Sequence, residues 1–189
     1  MENKVKTMKT RIENLLKAIE SYSKAYHELE ELQKHEIKLE DRLMPIGDQK
    51  TGAIGEFYAL MYLKKVYPKN NVRFCKNPIQ KGYDIEIISN QDSDNKKISI
   101  KTVSEFSKTK KVSNIKKENE DKKTPKIDYC KIELHIISLN KEFKPNGYWI
   151  LNGKVCDFKH KSITVSEENM ENKGFGNKFE EFKEKLNIQ

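Results

Sequence analysis

The chain has 189 residues, 35% hydrophobic and 35% charged, and its 37 lysines and arginines against 29 acids give a formal net charge of +8. That length suits one domain with an extension rather than two full domains. With no apolar run of the roughly 18 residues that a spanning helix needs, and a charged amphipathic N-terminus instead of a secretion signal, a soluble cytoplasmic protein is expected. Cys75, Cys130 and Cys156 form no C-x-x-C pair, so reduced buried thiols are expected rather than a disulfide framework or a zinc knuckle.

The first predicted element is a long helix. Val5, Met8, Ile12, Leu15, Ile19, Tyr22, Tyr26 and Leu29 recur at spacings of three and four, the seam of a heptad pattern. Beyond Leu29 the stripe resumes in another register through Leu32, Leu39 and Leu43, with Glu36 in its line; such a phase change alters supercoiling or turns the helix toward another partner. Residues 1–44 therefore read as a helical arm. It either joins two chains in a coiled-coil homodimer or packs back on its own domain. The arm holds nine bases and nine acids, so the positive excess belongs to the rest of the chain.

Pro45, Gly47 and Asp48 close the arm and open a second region, 45–189. A helix is predicted over Thr51–Val66, with Gly52, Ala53 and Gly55 permitting close packing near its start. Ile54, Phe57, Tyr58 and Met61 form one apolar stripe, and Ala53, Leu60 and Leu63 form a second. Glu56 lies in line with the second stripe, where its carboxylate is desolvated unless it meets a cation. Tyr67-Pro68 ends the helix, and Asn71–Cys75 reads as a strand.

Two more strands follow around a polar turn. In Gly82-Tyr-Asp-Ile-Glu-Ile-Ile88, alternation places Tyr83, Ile85 and Ile87 on one face and Asp84 and Glu86 on the other; in Ile98-Ser-Ile-Lys-Thr102, Ser99 and Lys101 oppose Ile98 and Ile100. If the apolar faces share one core, Asp84, Glu86, Ser99 and Lys101 must share the polar face, because a one-residue slip would bury the charges.

Basic runs flank this pair. No acid occurs from Phe57 to Tyr83, and from Lys96 to Lys126 eleven lysines stand against four acids. Lys76 and Lys81 in the first run, and Lys108, Lys110, Lys111, Lys116 and Lys117 in the second, are candidates for contact with nucleic acid. The competing reading is that such lysines only keep the protein soluble. The second run lacks periodicity as far as Thr124-Pro125 and is read as a loop or weak helix. Tyr129–Leu139 and Tyr148–Leu151 are predicted strands, with Asn152-Gly153 as a hairpin turn leading into Lys154-Val155-Cys156. Ser166 caps a short helix, and Phe179, Phe182 and Leu186 mark the apolar face of a final one. His27, His35, His135 and His160 show no ligand spacing and read as ordinary surface or strand residues.

The order helix with Glu56, strand, strand with Asp84, strand with Ser99 and Lys101 resembles the PD-(D/E)XK nuclease superfamily, whose restriction-endonuclease-like fold is an α/β fold with a mixed central sheet flanked by helices. The resemblance rests on Gly-Ala-Ile-Gly-Glu56-Phe-Tyr, Gly-Tyr-Asp84-Ile and Ile-Ser99-Ile-Lys101-Thr, covers about residues 50–150 and leaves the arm outside. It implies a Mg²⁺-dependent endonuclease (Mn²⁺ substituting) that hydrolyses phosphodiester bonds in DNA, with RNA not excluded, in a restriction or defence setting. In that reading Asp84 is the central metal ligand, Glu56 contributes directly or through a water, and the Ile100 carbonyl completes the shell. Lys101 stabilises the phosphorane or activates the attacking water. Tyr83 and Gln80 either touch the substrate backbone or shape the turn. Ser99 departs from the pattern, because a Glu or Gln usually stands there and a serine supplies no charge. Glu56 is the first substitute for it, Glu86 the second, and Glu118 and Glu120 follow. The alternatives are a catalytically inactive nucleic-acid-binding module on the same fold, and a coiled-coil assembly protein.

Overall fold

The computed structural model describes residues 50–76, 82–89, 95–105, 109–113, 115, 127–140 and 143–188, together with Thr10, Ser21, Ala25 and Glu28, which are helical and exposed. The expected arm and its dimerisation otherwise lie outside the described residues, as do Gln80, Lys81, Lys108, Lys116, Lys117, Glu118 and Glu120. The chain divides into two units, Met1–Asp41 and Arg42–Gln189, and every element below belongs to the second.

Helix α1 (Lys50–Val66) precedes an antiparallel meander of β1 (Asn71–Phe74), β2 (Ile85–Ile88) and β3 (Lys96–Ser104). Next come β4 (Lys111–Ser113), β5 (Ile132–Leu139), β6 (Pro145–Leu151), β7 (Ser162–Thr164), α2 (Glu167–Asn172), β8 (Phe175–Asn177) and α3 (Phe179–Leu186). Six strands form one sheet in the order β1-β2-β3-β5-β6-β8, and β4 pairs with β7 in a separate ribbon. The β3–β5 pair is parallel and the other pairs are antiparallel. The architecture is therefore mixed α/β around a mixed sheet. No described helix is long and apolar enough to cross a membrane.

Each face of the sheet carries its own core. On one, Ile85, Ile87, Ile98, Ile100, Ile137 and Tyr148 meet Leu60 and Leu63 of α1 and Phe182 of α3. On the other, Val103, Leu134, Ile136 and Trp149 meet Val112 and Ile163 of the ribbon and Met170 of α2. Alternation along β3 and β5 sends successive side chains to opposite faces and so feeds both cores. The second stripe of α1, Ala53, Leu60 and Leu63, is the buried one. Ser166 caps α2 by accepting from the Asn169 N–H, as the sequence suggests.

Several expectations need correction. Tyr83 does not join Ile85 and Ile87, because β2 begins only at Ile85. Its ring packs instead with Cys75 and Ile132. Asn152-Gly153 does not start a hairpin, since Val155–Asp157 is a 3₁₀ turn and β6 takes β8 as its neighbour. Tyr129–Lys131 is likewise a 3₁₀ turn, so β5 starts at Ile132. The lysine-rich stretch contains a strand, β4. Cys130 and Cys156 are not buried thiols but a disulfide, with Cα atoms 4.9 Å apart. The two 3₁₀ turns carry the pair, and a separation of 26 residues gives no local signal of the bond. Cys75 is the buried free thiol.

Candidate active site

The site forms where β2 and β3 part. Their register pairs Ile85 with Ile98 and Glu86 with Lys97, so Asp84, Glu86, Ser99 and Lys101 share one face. One further bond, from the Asp84 N–H to the Ile98 carbonyl at 2.8 Å, extends the pairing. The chain before Asp84 then turns away through Gly82, at φ 72°, a left-handed conformation suited to glycine. There β3 loses the main-chain partner on that side, and the Asp84 side chain takes its place. The Ile100 N–H donates to Asp84 Oδ2 at 2.6 Å, and the Ser99 hydroxyl donates to the same oxygen at 3.3 Å. A strand residue presents its N–H and C=O to the same neighbour, so the Ile100 carbonyl is directed to the same side as the Asp84 carboxylate.

Helix α1 supplies the third element. Gly55 sits directly on β3, where an added Cβ would run into the Thr102 side chain, 2.7 Å from its Cγ2. The contact is tight enough that Thr102 Oγ1 is buried without a hydrogen-bond partner among the described residues. It sets the next residue, Glu56, at the sheet surface. Burial first, and the Asp84 charge after it, push the Glu56 carboxyl up to about 8 against the opposing pull of the Lys101 cation. Asp84 and Lys101, from two other elements, therefore both act electrically on Glu56.

This donor set fits a divalent cation. A carboxylate whose proton affinity is raised by burial and by the neighbouring Asp84 charge would be relieved by a bound metal. Two acids and a backbone carbonyl, with water completing the shell, match what Mg²⁺ takes from proteins. No group of three or more His, Cys, Asp or Glu side chains able to hold a metal occurs among the described residues, so a cation here would depend on backbone and water oxygens as well as on Glu56 and Asp84.

The other candidates are placed as follows. Glu86 lies on the same face, but its Oε1 accepts from Arg73 Nε at 2.7 Å and its Oε2 from the Tyr83 hydroxyl at 3.2 Å. Arg73 stands opposite it across β1 and β2, a partner the sequence could reveal only once the register was known. Ser99 is buried and positions Asp84 rather than adding charge. Lys76, Lys110 and Lys111 are exposed. His135 lies on the α1 face, fully inside; its Nδ1 is 2.6 Å from the Tyr148 hydroxyl and its Nε2 3.4 Å from Glu133, which also pairs with Lys96. A neutral imidazole accepting from Tyr148 and donating to Glu133 satisfies all three groups, and burial, which lowers the His135 pKa, favours that form. His160 is exposed beside Lys173.

Fold and site together describe a mixed α/β protein in which Glu56 of α1 feels the charges of Asp84 and Lys101 near the end of the β2–β3 pairing. No family model matches the sequence, and a comparison with curated proteins finds no match.

Proposed function

We propose that the chain is a metal-dependent endonuclease of the PD-(D/E)XK type, built on a restriction-endonuclease-like core and acting on DNA as a homodimer held by residues 1–44. One observation carries the reading. Asp84 is held on the Ile100 amide while Glu56 feels both the Asp84 and the Lys101 charge, a grouping suited to phosphodiester hydrolysis. Mg²⁺ or Mn²⁺ held by Asp84, Glu56 and the Ile100 carbonyl would polarise the scissile phosphate and lower the pKa of an attacking water.

The chain's own groups supply the rest. The Ile100 amide and Ser99 hydroxyl fix the Asp84 carboxylate, so little reorganisation accompanies the reaction. Glu56 would give up its proton for a bound cation, whose charge would offset both its burial and the Asp84 carboxylate. Lys101 presents a compact cation to the negative charge that develops on phosphorus.

Cleavage of plasmid and single-stranded DNA with Mg²⁺ or Mn²⁺ tests the proposal. Asp84→Asn and Lys101→Ala should each lower the rate by about 10²-fold or more; activity that survives both substitutions would overturn the site. A second reading, an inactive binding module, is favoured by Ser99, which leaves the site one acid short of the family pattern. DNA binding by the wild type with no cleavage under either metal would select it.

A further inference from the structure

The β4–β7 ribbon lies on the sheet face toward which Ser99 and Lys101 point. Val103, two positions beyond Lys101 and on its face, packs in one cluster with Val112 of β4 and Ile163 of β7. At about 3.3 Å per strand residue, Lys101 and Val103 are about 7 Å apart along β3. Val112 and Ile163 point inward, whereas Lys111, Ser113 and Thr164 are exposed. Register sets Lys111 opposite Thr164 and Ser113 opposite Ser162, so the outer surface is a small platform of hydroxyls and a lysine. Lys110 precedes β4, and Lys159, His160 and Lys161 lead into β7, all exposed. Neither 109–113 nor 158–165 contains an acid. Lys173 adds another basic group, with its Nζ 3.0 Å from His160 Nε2.

We propose that this ribbon is the surface that grips the phosphate backbone of duplex DNA beside the Asp84–Lys101 site. Lys110, Lys111 and Lys161 are its ionic contacts and the platform hydroxyls its hydrogen-bond donors. The inference rests on the nuclease reading for the identity of the polyanion, while the surface is defined by its own geometry. Only the pairing of β4 with β7 brings Lys159–Lys161 and Lys110–Lys111 onto one element. Phosphate contacts carry no sequence information, so the ribbon sets affinity and position, not the cleavage sequence.

The test is binding of a fluorescent duplex across a salt series, without divalent metal and in an Asp84→Asn background, so that it does not depend on catalysis. Replacing Lys110, Lys111 and Lys161 together by glutamine should lower the slope of log K against log salt by roughly 2.7, at about 0.9 per phosphate contact. It should also weaken binding on the order of a hundredfold at 0.1 M salt. A triple Lys65, Lys69 and Lys185 to glutamine variant removes the same charge elsewhere and should change the slope little; thermal melting confirms that both variants fold. The proposal is overturned by an unchanged slope in the ribbon variant, by an equal loss in the control, by absence of duplex binding, or by the same slope change on single strands without loss on duplex. Wild-type cleavage with an unaltered ribbon slope would sink the ribbon and spare the nuclease. Ribbon-dependent binding without wild-type cleavage would do the reverse.

Discussion

Replacing Glu56 with glutamine should stabilise the metal-free protein at alkaline pH and leave it unchanged in acid. In the folded chain the carboxyl is pushed from 4.5 up to about 8 by burial and by Asp84, so the native state binds this proton more tightly than the unfolded chain does. With the folded pKa raised, the stability contributed by the proton is complete below about pH 4.5 and is lost as pH rises through about 8. At 1.36 kcal/mol per pKa unit the ceiling is about 5 kcal/mol. Glu56 is only half-buried, and solvent screening reduces the expected difference to about 2 kcal/mol. Urea unfolding with a chelator present, from pH 4.5 to 8.5, measures it. The wild-type and Glu56→Gln curves should coincide at the acid end and diverge steadily above it, with equal m-values. Mg²⁺ added at pH 8 should raise the wild-type midpoint and leave that of Glu56→Gln nearly still. Parallel stability curves over the whole range would refute the claim that Asp84 and burial act on Glu56 together.

Two further substitutions probe the framework. Gly55→Ala puts a methyl group into the Thr102 side chain; overpacking of this kind costs about 1–3 kcal/mol, and by lifting α1 from β3 it should lower cleavage more than the melting temperature alone explains. A fully active Gly55→Ala protein would show that Glu56 does not need that close approach. Tyr148→Phe removes the hydroxyl that serves the buried His135 Nδ1 and should cost about 1–3 kcal/mol in chemical denaturation, without altering cleavage by the folded protein. A loss below about 0.5 kcal/mol would mean that the ring nitrogen finds another donor.

The elements with strong local periodicity were legible in the sequence. The Ala53, Leu60 and Leu63 stripe marks the buried face of α1, and Ser166 marks the start of α2. The alternation of Ile85, Ile87, Ile98 and Ile100 forces the register that puts Asp84 and Ser99 side by side. Periodicity of this kind is local, because each position needs only its own face to be apolar or polar. Tyr83 escaped the pattern because alternation holds only inside a strand, and Gly82 turns the chain before β2 begins.

Tertiary structure decided the partners. Whether Glu56 reaches Asp84 depends on how closely α1 lies on β3, a distance set by Gly55 against Thr102. Glu86 could be read as a spare metal ligand until the β1–β2 register delivered Arg73 to it. The Cys130–Cys156 bond, the choice of β8 rather than 154–156 as the neighbour of β6, and the β4–β7 ribbon all join residues distant in sequence. A chain encodes the faces of its helices and strands in spacing. Which faces meet is settled by packing the whole core at once, and the grouping of Glu56 with Asp84 and Lys101 is a product of that packing.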